Sequence, residues 1–217
     1  VGASEWFKKV QEIWTKRRGE KAEKATIYEW LDYRRKLTNQ NPTKPFKVLY
    51  TTSAKDIASC IIDLRSPLAV TLHETKIPIK GFVADTKTYY YETESANEAF
   101  FLSAILNSPF VNAIIKPMQS RGQFGERDIH KKILEIPIPR YSHRNPKHRR
   151  LAELGKECSD IARDQLVQLT PKYRSIAKIR ESIRNTLSDI LQEIDVLVKE
   201  IIAETSKSRE LLKNYLT

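Results

Sequence analysis

Between residues 119 and 132 the chain reads Gln119-Ser120-Arg121-Gly122-Gln123-Phe124-Gly125-Glu126-Arg127-Asp128-Ile129-His130-Lys131-Lys132, a run dense in amide, guanidinium and ammonium donors. Two of the six glycines, Gly122 and Gly125, fall inside it. Glycine relieves the steric limit on φ, so such a loop can bring backbone N–H groups up to a ligand. Arg and Lys bring positive charge to phosphates, while Gln and Arg match the hydrogen-bonding edges of bases. The chemistry on offer is recognition of a polyanion, nucleic acid above all. Gln119, Arg121, Gln123 and Arg127 are the candidate base contacts, with Gly122 and Gly125 supplying backbone. A plain turn with solvated charges is the competing reading, since short motifs also match by chance.

Cations continue beyond the loop. Lys131 and Lys132 are followed by Arg140, Arg144, Lys147, Arg149 and Arg150, and residues 140–150 contain two histidines and no acid. These seven are the candidate phosphate contacts. Over the whole chain 38 Lys and Arg stand against 27 Asp and Glu, a formal charge of +11. A field of that sign concentrates acidic partners and speeds their capture.

Catalytic patterns are harder to find. His73, His130, His143 and His148 lack metal-ligand spacing with one another or with Cys60 and Cys158. There is no G-x-S-x-G, no P-loop and no G-x-G-x-x-G. His130 has no nameable orienting partner, and Glu126, Asp128 and Lys131 make a poor nuclease cluster. The expectation is a binding chain that does no chemistry alone and holds no metal or cofactor. Cys60 and Cys158 are expected to be buried free thiols of a cytoplasmic protein. No apolar run approaches the roughly 20 residues needed to cross a bilayer. The chain opens at Val1 and its single methionine is Met118, which reads as a piece of a longer polypeptide.

Elements must position these residues. Ser4 caps a first helix with apolar Trp6, Phe7, Val10, Ile13 and Trp14, a stripe best read as packing. Thr26 and Glu29 form a capping box opening a helix over Ile27 to Leu37. Phe46 to Thr52, Ile57 to Leu64, Leu68 to Leu72, Ile79 to Ala84 and Thr88 to Thr93 read as strands. In Tyr89-Tyr90-Tyr91 the outer two share a face and Tyr90 takes the other. Ser95 with Glu98 opens a helix to Asn107 that is apolar nearly all round, hence buried. Ser108-Pro109 restarts a helix through Ile115. Ile136-Pro137-Ile138-Pro139 reads as a short strand, and Asn145-Pro146 starts a helix to about Gln168. Past Pro171, Ile176, Ile179, Ile183, Leu187, Ile190, Ile194, Leu197 and Ile201 make a heptad seam with one stutter. Packing of that seam against Leu151 to Leu169 is the simplest way to bury it.

Taken in order, Thr86-Lys87-Thr88-Tyr89-Tyr90-Tyr91, then Ala99 to Ser108 with its Ile105-Leu106-Asn107-Ser108 ending, then Gln119 to Gly125, then Ile136-Pro137-Ile138-Pro139 resemble a known family. It is the TaqI-like specificity domain that follows adenine-N6 DNA methyltransferases in type II restriction-modification enzymes of prokaryotes. The Ile-Leu-Asn-Ser helix and the strand leading into long helices are also similar to the specificity subunits of type I systems. The likeness covers about residues 46 to 170. It implies a target-recognition domain that grips duplex DNA and reads it in the major groove, beside a catalytic domain that binds S-adenosylmethionine and flips the adenine. The chain carries no Asn/Asp-Pro-Pro-Tyr/Phe motif, for Asn41-Pro42 is followed by Thr43-Lys44. Methyl transfer, with any fused endonuclease, is therefore implied for the parent alone.

The expected architecture is α+β. A small mixed or antiparallel β-rich recognition domain (46–150) with buried helices is flanked by N-terminal helices (1–45) and a coiled-coil-like helical segment (151–217). Two rivals keep their place: an RNA-binding module, because Gly122-x-x-Gly125 resembles the clamp of a KH loop, and a helical assembly module that self-associates through the last helix.

Overall fold

A computed structural model describes residues 2–216 apart from 67, 86, 123–124 and 127–128, and its account of 121–122, 125–126, 130 and 208–216 is confined to the backbone. The fold is α+β. Helix α1 (Gly2–Arg17) and the short α2 (Ile27–Leu31) precede a three-stranded antiparallel sheet of β1 (Phe46–Thr51), β2 (Ser59–Asp63) and β5 (Thr88–Thr93), in the order β2-β1-β5. Strands β3 (Leu68–Leu72) and β4 (Thr75–Ile79) form a separate hairpin. Helices α3 (Ala96–Asn107), α4 (Pro109–Ile115), α5 (Pro146–Leu169), α6 (Ile176–Thr186) and α7 (Ser188–Leu216) complete the chain.

Helix α3 is enclosed because it has no polar stripe to expose. Ala99, Phe101, Ala104, Ile105 and Leu106 are all buried. The sheet supplies one wall through Phe46, Val48 and Ile61, which alternate along their strands toward the core. Helix α5 supplies another, through Leu151, Ala152 and Leu154. Close approach depends on Gly155, where a Cβ would run into the Phe100 carbonyl oxygen and press on the Ala104 methyl. Ser108 ends α3 and caps α4, its hydroxyl accepting from Val111 N–H. It also donates to Asp195 Oδ1 of α7 at 2.7 Å, and the same oxygen accepts from Phe110 N–H. Asp195 thus bolts α7 to the start of α4.

The opposite face of β1 holds a surprise. Lys47 is fully buried, with its ammonium 2.8 Å from Glu92 Oε1 and 5.7 Å from the Tyr90 ring centroid. A buried charge needs such a partner, since desolvation costs several kcal/mol otherwise. Asn41 N–H also donates to Glu92 Oε1 at 3.0 Å, and the segment around it is tied to residues 82–84. Gln40 exchanges two hydrogen bonds with the Ala84 backbone (2.7 and 2.8 Å), and Phe82 N–H donates to Pro42 O.

Several expectations are corrected. The second helix stops at Leu31 instead of Leu37: Asp32 leaves helical geometry at ψ 43°, and Arg34 and Arg35 beyond it take left-handed φ values of 58° and 57°. Ile79 to Ala84 is no strand. Its first residue ends β4, which turns back on β3 through His73 and Glu74, both at positive φ as a two-residue hairpin requires. Ile136-Pro137-Ile138-Pro139 is irregular, since its prolines lack the N–H a ladder uses. The capping box at Ser95 is half made. Glu98 N–H donates to the Ser95 hydroxyl, but the Glu98 carboxylate accepts from Thr93 and Tyr91. The aromatic stripe of α1 packs only in part: Phe7 and Trp14 meet Tyr28 and Trp30 of α2, but no residue of the helix is buried and Trp6 is 58% exposed. Cys60 is exposed, while Cys158 is half-buried and its thiol is pushed up to about 11 by burial, then by Glu157.

The seam expected in one final helix breaks at Leu187, after consecutive four-residue steps, where a stutter unwinds the repeat. Ile179, Leu187, Ile194 and Ile201 are buried, whereas Ile176 is exposed. Val198 and Ile202 join them, and α7 shares its core with α3, α4 and α5. The boundary expected at 150/151 lies inside α5, and that one core extends across it. No single helix among the described residues is long and apolar enough to cross a membrane. The bent pair α3–α4 passes by composition, and it is mostly core.

Gly155→Ala should cost about 1–3 kcal/mol or more by overpacking α5 on α3. Urea denaturation reads this as a lower midpoint at unchanged slope. An unchanged midpoint would contradict the close approach.

Candidate nucleic-acid interface

The glycine loop is held by the chain leaving β1. Gln119 donates its Nε2 to Ala54 O at 3.0 Å, and Ile129 N–H donates to Thr52 O at 3.1 Å. Both ends of the loop are therefore fixed to one short stretch. That stretch is itself pinned: Thr52 N–H donates to Lys87 O at 3.1 Å and Ile57 N–H to Asn112 Oδ1 at 2.6 Å. Between the anchors, Arg121–Gly122 pairs antiparallel with Gly125–Glu126, so the loop is a small hairpin. Ile129 and Ile133 plug the following 3-10 helix, His130–Glu135, into the core.

The Ile105-Leu106-Asn107-Ser108 run acquires a physical role here. Ile105 and Leu106 are core, and Asn107 serves the open edge of β2. Its Oδ1 accepts from Ser59 N–H at 2.9 Å, and its Nδ2 donates to Ser59 O at 3.0 Å. Together with Asn112 this ties the α3–α4 corner to the β1–β2 connection that carries the loop anchors.

One candidate base contact is corrected by this geometry. Gln119 is only 7% exposed and its amide is committed to Ala54, so it anchors the loop and does not present itself to a ligand. Arg121 lies in the hairpin with Gly122 and Gly125, while Gln123 and Arg127 fall outside the described residues. Two cations that the sequence did not single out stand beside the anchors. Lys55 and Lys87 are both exposed, Lys55 in the anchoring stretch and Lys87 at the residue whose carbonyl holds Thr52. As isolated lysines near strands they formed no pattern. Lys131 is exposed, and Lys132 reaches Glu135 at 3.4 Å.

The second basic stretch sits by the other half of α3. Tyr141 and His148 pack on Phe101, with ring centroids 5.5 and 4.7 Å away. His148 Nδ1 accepts from Ser142 N–H, and burial lowers its pKa. Arg140 is close enough to Tyr91 to oppose the upward pull of burial and Glu98 on that phenol. Tyr89 and Tyr91 do share the core-side face, and Tyr89 stacks on Tyr50 at 5.2 Å.

Within that stretch the candidate phosphate contacts divide. Arg140 and Arg144 are exposed, and Arg149 donates to His143 O at 2.7 Å. Lys147 is clasped by Glu200 and Glu204 at 2.6 and 2.7 Å. Arg150 forms a two-pronged pair with Glu193, at 2.6 and 2.9 Å. Hydrogen bonds to these carboxylates raise the pKa of Lys147 and of Arg150, and Arg150 lowers that of Glu193. In the free chain these two cations clasp α5 to α7. Solvent-exposed pairs of this kind contribute little, so a phosphate can compete for them at small cost.

Among the described residues no group of three or more His, Cys, Asp or Glu is placed to hold a metal ion. What the arrangement offers is donors on a braced hairpin, with exposed cations on its flanks. No family model, curated protein or solved structure matches this chain.

Gln119→Ala should free one end of the hairpin. Amide exchange at Ile129 should quicken, and stability should fall by about 1 kcal/mol. Unchanged exchange at Ile129 would show that Gln119 is no anchor.

Proposed function

We propose that this chain is the DNA target-recognition module of a site-specific adenine-N6 methyltransferase of a restriction-modification system. It would hold duplex DNA for a catalytic domain, outside the present sequence, that uses S-adenosylmethionine. The supporting observation is the glycine hairpin, tied at both ends to the exit of β1 and flanked by Lys55, Lys87 and Lys131. A binding loop on a rigid scaffold can place donors reproducibly against base edges, which specificity demands.

In this reading Arg121, Gln123 and Arg127 carry sequence discrimination. A bidentate Arg–guanine or Gln–adenine pair gives roughly 1–3 kcal/mol each. Lys55, Lys87, Lys131, Arg140 and Arg144 grip phosphates without regard to sequence. Lys147 and Arg150 contribute only where phosphate displaces their glutamates. The assembly reading has less support because Ile179, Leu187, Ile194, Val198, Ile201 and Ile202 are buried within the chain.

Duplex binding across a salt series separates the roles. Lys55→Ala and Lys131→Ala should each weaken all duplexes alike and lower the salt slope by about one. Arg121→Ala and Arg127→Ala should flatten the preference among sequences while leaving nonspecific binding largely in place. Displacement of duplex by equal phosphate concentrations of tRNA, with no preference among duplexes, would favour the RNA reading instead.

A further inference from the structure

The N-terminal segment carries a second feature, independent of the hairpin. Trp14 of α1 and Trp30 of α2 lie with ring centroids 6.3 Å apart and planes at 51°. Together with residues 18–22 they line an open cleft of about 420 Å³. Trp30 is 51% exposed, an unusual position for the largest apolar side chain. Arg18 stacks on Trp14 with its guanidinium carbon 5.5 Å from the ring centroid, and is steadied by donating to Ala25 O at 2.8 Å. Lys21 lines the same cleft, and so does Glu20. Residues 16–24 hold five cations (Lys16, Arg17, Arg18, Lys21, Lys24) against Glu20 and Glu23.

An apolar partner protein would be served by the aromatic faces alone. The surplus of cations around them selects a ligand that is flat, aromatic and anionic at regular intervals. We propose that this cleft binds single-stranded nucleic acid, with an unpaired base stacked on Trp30 and neighbouring phosphates held by Arg18 and Lys21. Aromatic platforms set in positive grooves bind single strands in this sequence-tolerant way. Fully paired duplex hides its base faces in the stack and has little to offer the cleft. The site therefore complements, and does not duplicate, duplex recognition at the hairpin.

All three tryptophans (Trp6, Trp14, Trp30) lie in the first 30 residues, so tryptophan fluorescence, excited selectively beyond the tyrosine absorption band, reports on this segment alone. Titration with a short oligothymidylate at low salt should quench it saturably, and added salt should weaken binding. Trp30→Ala should weaken binding roughly fivefold or more, with Trp30→Phe recovering most of the loss. Lys21→Glu should weaken it with both platforms intact. No quenching at low salt would overturn the proposal and leave an apolar protein surface as the occupant. Equal affinity in Trp30→Ala and the unaltered chain would overturn it as well. Because the signal comes only from the N-terminal segment, failure here is distinguishable from failure of duplex binding at the hairpin.

Discussion

Helix α3 has no polar stripe to turn to water, and the elements around it are arranged to bury most of it. The β1-centred sheet, α5 and α7 enclose it, and each enclosing element has a residue that makes the approach work. Gly155 lets α5 touch the α3 backbone, Asp195 bolts α7 to the α3–α4 corner, and Asn107 satisfies the edge of β2. An enclosed helix is also a rigid one. Asn112, immediately beyond it, fixes the stretch after β1, and that stretch fixes both ends of the glycine hairpin. The path from buried core to candidate interface is a short series of buried or half-buried hydrogen bonds.

Charge is distributed with the same division between structure and surface. Lys47 lies wholly inside, paired with Glu92, and Lys147 and Arg150 are spent on holding α5 to α7. Lys55, Lys87, Lys131, Arg140, Arg144 and Arg149 are among the cations that stay exposed. Net charge alone did not distinguish these groups, because a formal +11 counts a clasped lysine and an exposed one alike.

Much of this was legible in the residues. The all-round apolarity of Ala99 to Asn107, the Ser108-Pro109 restart and the Asn145-Pro146 start each rest on local chemistry, and each element lies where expected. The misses share a cause, since tertiary partners decided them. Gln119 looked like a donor for a ligand and became an anchor because Ala54 O lies within reach. The α1 stripe looked like packing, but only the short α2 meets it, and Trp6 stays exposed. Lys55 and Lys87 gave no signal, since only the folding of β1 and β5 brings them to the hairpin. The break at Leu187 was foreshadowed by the stutter, but a stutter alone permits a continuous helix.

The central claim is that a braced glycine hairpin reads DNA sequence. Selection from a degenerate duplex pool, at near-physiological salt and with excess tRNA as competitor, tests it most directly. The account predicts enrichment of a defined sequence, lost when Arg121 and Arg127 are replaced together by alanine. Retention of duplex with no enrichment, or no retention at all, would contradict it.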